Sequence, residues 1–129
     1  IGKSDNIEKN INENIAICLR MLNMDRIYKF TYRHTDYTIP INKIDYIQRD
    51  DRRIKIVCKN EEYYTIDTIN SIKDNFPSYF IISCKGTLLN MNNVLKIDWI
   101  NCKVYFKDGL EAFVVSKSHK KDIDNYERN

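Results

Sequence analysis

The sequence has little glycine and proline and no long apolar run. It contains three Gly and two Pro among 129 residues, too few for a disordered or low-complexity segment. No uncharged apolar stretch approaches the roughly 18 residues that a membrane-spanning helix needs. Alanine occurs only twice, whereas isoleucine occurs 20 times and aromatic residues make up 12% of the chain. This composition favours β-strands over helices, and the length predicts one folded domain.

Cysteine and histidine are also scarce, which argues against a metal site. The four cysteines form no C-x-x-C pair, and the two histidines, His34 and His119, stand far apart. Zinc sites usually draw on closely spaced pairs of such ligands. We therefore expect no metal and no cofactor. Scattered cysteines without a secretory signal pattern predict a cytoplasmic location.

The motifs of common enzymes are missing too. There is no G-x-G-x-x-G, G-x-x-x-x-G-K-[ST], G-x-S-x-G or H-E-x-x-H, so the sequence offers neither a phosphate loop nor a familiar hydrolytic site. Asp50 and Asp51 lie between arginines, which indicates a solvated turn rather than an acid–base pair. A nucleophile pair of Cys84 and His119 has no local support. We predict that the protein is not an enzyme.

Basic residues concentrate in the later part of the chain. The net charge is only +3, but seven lysines stand against three acidic residues between positions 82 and 121. Such an excess suits a polyanion partner such as nucleic acid, and a solvated lysine face gives the same pattern.

The beginning of the chain has the pattern of an amphipathic helix. Over residues 6–22, apolar side chains recur at helical spacing on one face, at Ile7, Ile11, Ile15, Cys18 and Leu22. Because the first residue is not Met, we expect a piece of a longer protein. Residues 1–25 would then be a connector helix from an upstream domain, and residues 26–129 the main domain. The helix could instead pack on its own domain, or pair with a second copy to form a homodimer.

After residue 26 the apolar period changes to two, which is typical of β-strands. The pattern predicts hairpins over residues 27–40, 46–65 and 103–115, the last with an Asp108-Gly109 turn. Because Trp99, Phe106 and Phe113 alternate with charged residues, we predict that all three are core.

Two further segments have helical spacing. A central helix is predicted over Ile66–Phe76, with Thr65 or Asp67 as its cap and Pro77 as its end. A last helix is predicted over Lys117–Tyr126, with Ser116 as its cap.

The series of features from about residue 27 to residue 126 resembles the LytTR DNA-binding domain of bacterial response regulators, including the accessory-gene-regulator type. The family has an apolar residue followed by Pro at the end of its first hairpin, which resembles Tyr37–Ile41 here. Its next segment, of the D-I-x-Y-I-E kind, resembles Lys43–Gln48. Asp67–Lys73 followed by Phe76-Pro77 resembles its S-L-x-x-L-E helix.

The second half of the family pattern is matched in part. The family's run F-x-R-V-H-R-S-Y-L-V-N is matched at its start by Phe80 and at its end by Leu88-Leu89-Asn90. The I-x-x-I step that follows the run is matched by Val94 and Ile97. The D/N-G hairpin and the V-S-R segment are matched by Asp108-Gly109 and by Val115-Ser116-Lys117. Departures from the pattern are Gln48 for Glu, Ile82 for Arg, Cys84 for His and Gly86 for Ser, whereas Lys85 keeps a basic position. Lysine makes point-charge contacts rather than the bidentate fork of arginine to guanine.

The resemblance implies a mostly β protein with short helices, built as an elongated antiparallel fold of ten strands. It also implies an output domain of a two-component system that binds double-stranded DNA at promoter repeats in a sequence-specific way. Three segments would enter successive major grooves: Arg49–Arg53, Ser83–Thr87 and Ser116–Lys120. The candidate contact residues are Arg49, Arg52, Arg53, Ser83, Lys85, Thr87, Ser116, Lys117 and Lys120.

Two other interpretations stay open at this point. Arg49, Arg52 and Arg53 could simply form a charged turn with Asp50 and Asp51. The departures at the family's contact positions also suit a protein-interaction domain that kept the fold and lost its DNA contacts. A basic groove across the three segments would favour DNA, and an apolar patch there would favour a protein partner.

Overall fold

A computed structural model describes residues 26–128. The predicted connector helix therefore lies outside the described residues. Within these residues ten strands form, and all their pairings are antiparallel, as the family resemblance implies. Their bounds are β1 Ile27–Tyr32, β2 Thr35–Pro40, β3 Ile44–Asp50, β4 Arg53–Cys58, β5 Glu62–Thr65, β6 Phe80–Cys84, β7 Thr87–Asn90, β8 Val94–Asp98, β9 Lys103–Phe106 and β10 Glu111–Ala112. The helices are α1 Ile69–Asn75 and α2 Lys120–Arg128, and short 3-10 turns span Ile41–Lys43, Met91–Asn93 and Lys117–His119.

The centre of the fold is a five-stranded sheet in the order β5-β4-β3-β7-β6. The hairpin β1–β2 forms a second sheet, and β8, β9 and β10 form a third. Most strands pair with a neighbour in sequence, but β3 also pairs with β7, with Ile47 opposite Leu88. That pairing joins the two halves of the chain in one sheet.

Both faces of the central sheet are covered by apolar side chains. On one face, isoleucines such as Ile47 and Ile56 pack with Ile72 of α1 and with Phe30 of the first hairpin. On the other face, Tyr46 and Leu89 pack in a second cluster, which includes residues of the third sheet and of α2. Its other buried members are Val57, Met91, Val104, Phe106, Val114, Val115 and Ile123. Alternation along each strand sends successive side chains to opposite faces. The central strands are therefore buried on both sides.

The central helix is shorter than the sequence predicts. It begins at Ile69, and the hydroxyl of Thr68 accepts a hydrogen bond from the Ser71 amide at 3.1 Å. Thr68, rather than Thr65 or Asp67, is therefore the cap. Thr65 ends β5 as a buried residue, and the next residue, Ile66, faces solvent with 70% of its surface exposed.

The last helix begins at Lys120 and not at Lys117, and the last hairpin also differs from prediction. The second hairpin strand contains only Glu111 and Ala112. Phe113 is 70% exposed, so its prediction as core is wrong. The physical reason is alternation: Val114 on one side of Phe113 is buried and Ala112 on the other is half-buried, which directs Phe113 outward. Of the other predicted core aromatics, Phe106 is buried and Trp99 is half-buried.

Within residues 26–128, no helix is long and apolar enough to cross a membrane.

Candidate nucleic-acid interface

The first predicted segment is the tight turn between β3 and β4. Asp50 pairs with Arg53 across the turn, and Asp51 has a positive φ of 57°. The carboxylate of Asp50 also forms an ion pair with Arg53 at 3.1 Å. The Nε atom of Arg49 donates to the Asp51 carbonyl at 3.3 Å. The interpretation as a charged turn therefore holds for Arg53, which is paired with Asp50, whereas Arg52 has no ion pair with any described residue.

The second predicted segment is the turn between β6 and β7, and it lies directly against the first. The Arg49 amide donates to the Gly86 carbonyl at 2.8 Å. Gly86 has a φ of +71°, and a Cβ atom at this position would lie 3.3 Å from the Cβ atom of Arg49. Glycine therefore suits both the backbone conformation and the close approach. Lys85, just before it, is exposed and forms no ion pair with any described residue.

Two predicted contact residues of this second segment are buried. Ser83 and Thr87 both have 0% of their surface exposed. The Ser83 hydroxyl donates to the Val114 carbonyl at 2.5 Å. The Thr87 hydroxyl accepts from the Gln48 side-chain amide at 3.1 Å. Each side chain therefore links parts of the protein and is not part of the exposed surface, so the prediction that Ser83 and Thr87 offer exposed contacts is wrong.

The third predicted segment adjoins the second. The Ser116 amide donates to the Ser83 carbonyl at 2.9 Å, which places Ser116–Lys120 beside the β6–β7 turn. The chain then forms a 3-10 turn from Lys117 to His119 before α2 begins at Lys120.

Ser116 precedes this turn, but its side chain makes no capping hydrogen bond to the backbone. Its hydroxyl instead lies 2.8 Å from Nδ1 of His119 and 2.9 Å from the hydroxyl of Ser118. The prediction of Ser116 as a side-chain cap is therefore wrong, because the neighbouring imidazole takes the hydroxyl. Further along, Lys120 pairs with Asp124 at 2.9 Å, and Lys117 is exposed without an ion pair to any described residue.

The three segments form one continuous edge, because backbone hydrogen bonds join the first to the second and the second to the third. Together they carry six lysine and arginine side chains and two carboxylates. None of the large hydrophobic side chains that are exposed in the described chain lies within these segments. The edge is therefore basic and not apolar.

One residue of the first hairpin, Tyr32, interacts electrostatically with Arg53 of the first segment, which the sequence did not lead us to expect. The Arg53 guanidinium lowers the pKa of the Tyr32 hydroxyl, and Arg33 acts in the same direction. Arg53 also lies over the ring of Tyr64, 3.8 Å from the ring centroid. The sequence signal was the basic tripeptide Tyr32-Arg33-His34, which marks a turn as readily as a binding site.

A buried carboxyl group lies away from this edge, at the start of β3. Asp45 is fully buried. Burial and the nearby Asp108 carboxyl group raise the pKa of Asp45 to about 8, although Asn93 acts in the opposite direction. Asn93 donates to Oδ1 of Asp45 at 3.0 Å. Among residues 26–128 there is no group of three or more His, Cys, Asp or Glu side chains that could hold a metal ion.

Comparisons with known proteins bear on the family and the fold of this chain. The sequence model of the LytTr DNA-binding domain matches residues 34–126. A search of curated proteins found no match. Among solved structures, the chain is similar to the LytTr DNA-binding domain of a putative methyl-accepting/DNA response regulator from Bacillus cereus, with 14% identity and a TM-score of 0.66 over 77% of this chain and 94% of that one. At this identity the structural likeness concerns the fold. The match of the family model to most of the chain shows that this protein belongs to the LytTR DNA-binding domain family.

Proposed function

We propose that this protein is the output domain of a bacterial response regulator and binds double-stranded DNA in a sequence-specific way. The observation that carries the proposal is the continuous basic edge formed by Arg49–Arg53, Ser83–Thr87 and Ser116–Lys120, which two backbone hydrogen bonds hold together. Three exposed loops in a row can follow a duplex along its grooves, whereas a single loop can contact only one short stretch.

Five of the six cations on this edge divide into two groups, and the sixth, Arg49, donates to the backbone carbonyl of Asp51. Arg52, Lys85 and Lys117 are exposed and have no ion pair with any described residue, so no carboxylate has to be displaced before they meet a phosphate. Arg53 and Lys120 are paired with Asp50 and Asp124. We assign direct DNA contact to the first group and a positioning role to the second. Lysine and arginine side chains that neutralise phosphates release counterions, which supplies most of the non-specific affinity.

The backbone contact at Gly86 sets the position of Arg49. This exposed arginine lies where the first two loops touch, and its planar guanidinium can donate two hydrogen bonds to a guanine edge. Lys85 and Lys117 are suited to phosphates or to single acceptors on bases. We therefore propose Arg49 and Arg52 as the side chains that read sequence, with the lysines supplying affinity.

The family and the similar Bacillus cereus structure support a regulatory setting. The Bacillus cereus domain is described as part of a putative DNA response regulator. We extend that setting to this chain, with residues 1–25 as the connector to an upstream receiver domain. A homodimer formed through that domain or the connector would place two basic edges on repeated promoter sites.

A protein-interaction domain is the alternative function. It predicts an apolar patch on the three loops, and the exposed large hydrophobic residues of the described chain lie elsewhere, at Ile27, Ile66, Leu95, Ile100 and Phe113. This distribution favours DNA as the partner.

The test is binding of the 129-residue chain to a pool of random duplexes, followed by fluorescence anisotropy at about 50 and 200 mM salt and by sequencing of the bound fraction. We expect binding that weakens steeply with salt and enriches a short repeated motif. Absence of binding at the lower salt would contradict the proposal. Binding without any enriched motif would limit the function to non-specific DNA association.

A further inference from the structure

We propose that a cleft between the 3-10 turn Ile41–Lys43, the β4–β5 turn and the β9–β10 turn binds a small organic carboxylate that has an apolar body and an N–H or O–H group. The cleft has a volume of about 500 Å³, within the range of small-molecule sites in proteins. It lies at the Cys58 end of β4, whereas the β3–β4 turn of the basic edge lies at the other end of that strand. Binding at this cleft is therefore separate from the proposed binding of DNA.

Hydrogen bonds between separate segments hold the walls of the cleft in place. The Asn93 side chain donates to the Asn42 carbonyl at 2.9 Å, and the Lys107 amide donates to the Asn93 carbonyl at 2.8 Å. Beside them, Ile44 of β3 pairs with Cys58 of β4. The chain itself therefore shapes the cleft, which lowers the cost of ordering the site on binding.

The cleft has an excess of positive charge. Three lysines from three segments stand on its walls: Lys43, Lys59 and Lys107. All three are exposed, and none forms an ion pair with any described residue. Of the two carboxylates on the walls, Glu61 accepts from the Tyr63 hydroxyl, and Asp108 accepts from a backbone amide at 2.9 Å. The lysines are therefore available to an anion from outside, and a carboxylate accepts charge-assisted hydrogen bonds from them.

Apolar groups line the cleft between these charges. Ile39, Pro40 and Cys58 belong to the lining, and Ile39 is buried. Burial raises the pKa of the Cys58 thiol to about 11, so this side chain is uncharged at neutral pH. Small-molecule sites commonly combine such an apolar lining with a few polar groups. The lining therefore suits a ligand with an apolar body beside its carboxylate.

One polar atom of the wall lacks a donor. Oδ1 of Asn42 is buried and accepts no hydrogen bond from any described residue. A buried acceptor that stays unpaired destabilises the protein, and an N–H or O–H group of a ligand would satisfy it. The lysines thus specify a negative charge on the ligand, and Asn42 specifies a hydrogen-bond donor.

A matched pair of probe molecules tests the requirement for a carboxylate. N-acetyl-L-phenylalanine has a carboxylate, an apolar ring and an N–H group, and N-acetyl-L-phenylalaninamide has the same body without the charge. Each probe is titrated into the isotope-labelled 129-residue chain, and the amide chemical shifts are followed by NMR. We expect saturable shifts at Asn42, Asn60 and Lys107 with the carboxylate. Binding of the amide should be about tenfold weaker.

A matched set of variants tests the position of the site. Lys59→Gln and Lys107→Gln each remove one unpaired charge from the cleft, and each should weaken binding of the carboxylate about three- to fivefold. Both should leave binding of the amide and the melting temperature unchanged, because these lysines are exposed and unpaired among the described residues. Lys85→Gln is the control, because it removes an exposed lysine from the basic edge and should bind the carboxylate like the unmodified chain.

Four results would overturn the proposal. The first is the absence of saturable shifts with up to about 10 mM of the carboxylate, and the second is equal affinity for the amide. The third is a set of shifts confined to the basic edge. The fourth is an equal loss of affinity in Lys85→Gln, because binding would then follow the overall charge of the protein rather than the cleft.

Discussion

The amide of Arg49 donates to the carbonyl of Gly86 at 2.8 Å, and this hydrogen bond holds the β3–β4 turn against the β6–β7 turn. The two turns belong to strands that pair through β3 and β7. A side chain at this position would crowd the contact, because a Cβ atom on Gly86 would lie 3.3 Å from that of Arg49. One backbone contact therefore determines where a proposed base-reading arginine stands.

Gly86→Ala should lower both stability and DNA affinity. The φ of +71° at this position costs a residue with a side chain about 1–2 kcal/mol, and the added Cβ atom displaces Arg49. Gly109→Ala is the control, because Gly109 has a φ of +102° and no atom within 4 Å of an added Cβ atom. It should lower stability without weakening DNA binding. Chemical unfolding and anisotropy measure the two effects, and unchanged affinity in Gly86→Ala would refute a role for this contact in binding.

Lys85→Ala and Lys117→Ala should each weaken DNA binding and leave the melting temperature unchanged. Both lysines are exposed and unpaired among the described residues, so only the contact with DNA is lost. Lys59→Ala provides the comparison, since Lys59 is exposed just after β4, at the end opposite the β3–β4 turn. Wild-type affinity in both site variants would mean that the contact surface lies elsewhere.

Lys120→Ala should have a smaller effect than Lys85→Ala. Lys120 is already paired with Asp124 at 2.9 Å, so its charge is partly neutralised before DNA arrives. A phosphate contact by Lys120 would lower the salt slope by about one, and we expect a smaller decrease. A full unit of decrease, measured by anisotropy over a salt series, would show that DNA displaces Asp124.

Ser83→Ala should destabilise the fold. The Ser83 hydroxyl is fully buried and donates to the Val114 carbonyl, and the variant leaves that acceptor unpaired, at a cost of about 1–3 kcal/mol. Ser78→Ala, at an exposed position, should be neutral. Urea unfolding measures both. Wild-type stability together with lost DNA binding in Ser83→Ala would instead support the direct contact that the sequence suggested.

Stability should fall as pH rises from about 4 to about 8, because of Asp45. Burial and Asp108 raise the pKa of Asp45 to about 8, so between its unfolded and folded pKa values the folded state binds the extra proton. The free energy of unfolding then decreases with pH, by up to about 1.4 kcal/mol per pH unit for one proton, and levels off above the folded pKa. Asp45→Asn should remove this contribution, whereas Asp74→Asn, at an exposed position on α1, should retain it. Unfolding in urea at a series of pH values is the measurement, and the same pH dependence in Asp45→Asn would contradict the assignment.

Local features of the fold could be predicted because their causes lie within a few residues. Alternating apolar residues predicted the strands, and Asp108-Gly109 predicted a hairpin turn that forms with Gly109 at a φ of +102°. The order of family-like features predicted ten antiparallel strands and the three basic segments. The predicted burial was less accurate at Ile66 and Phe113, which are both exposed. In an extended segment, a shift of one residue moves a side chain from the core face to the solvent face.

Other properties depended on contacts between distant residues. No local pattern distinguishes Ser83 and Thr87, which are buried, from Lys85 between them, which is exposed. Their burial follows from Val114 and Gln48, which lie 31 and 39 residues away in the chain. In the same way, the ring of Tyr28 meets that of Phe76, 5.0 Å between centroids, only because the first hairpin packs on the central sheet. The sequence by itself determined the strands, the turns and the charges of this protein, since these depend on near neighbours; the tertiary structure decided which charges face solvent together, because that depends on which strands pair.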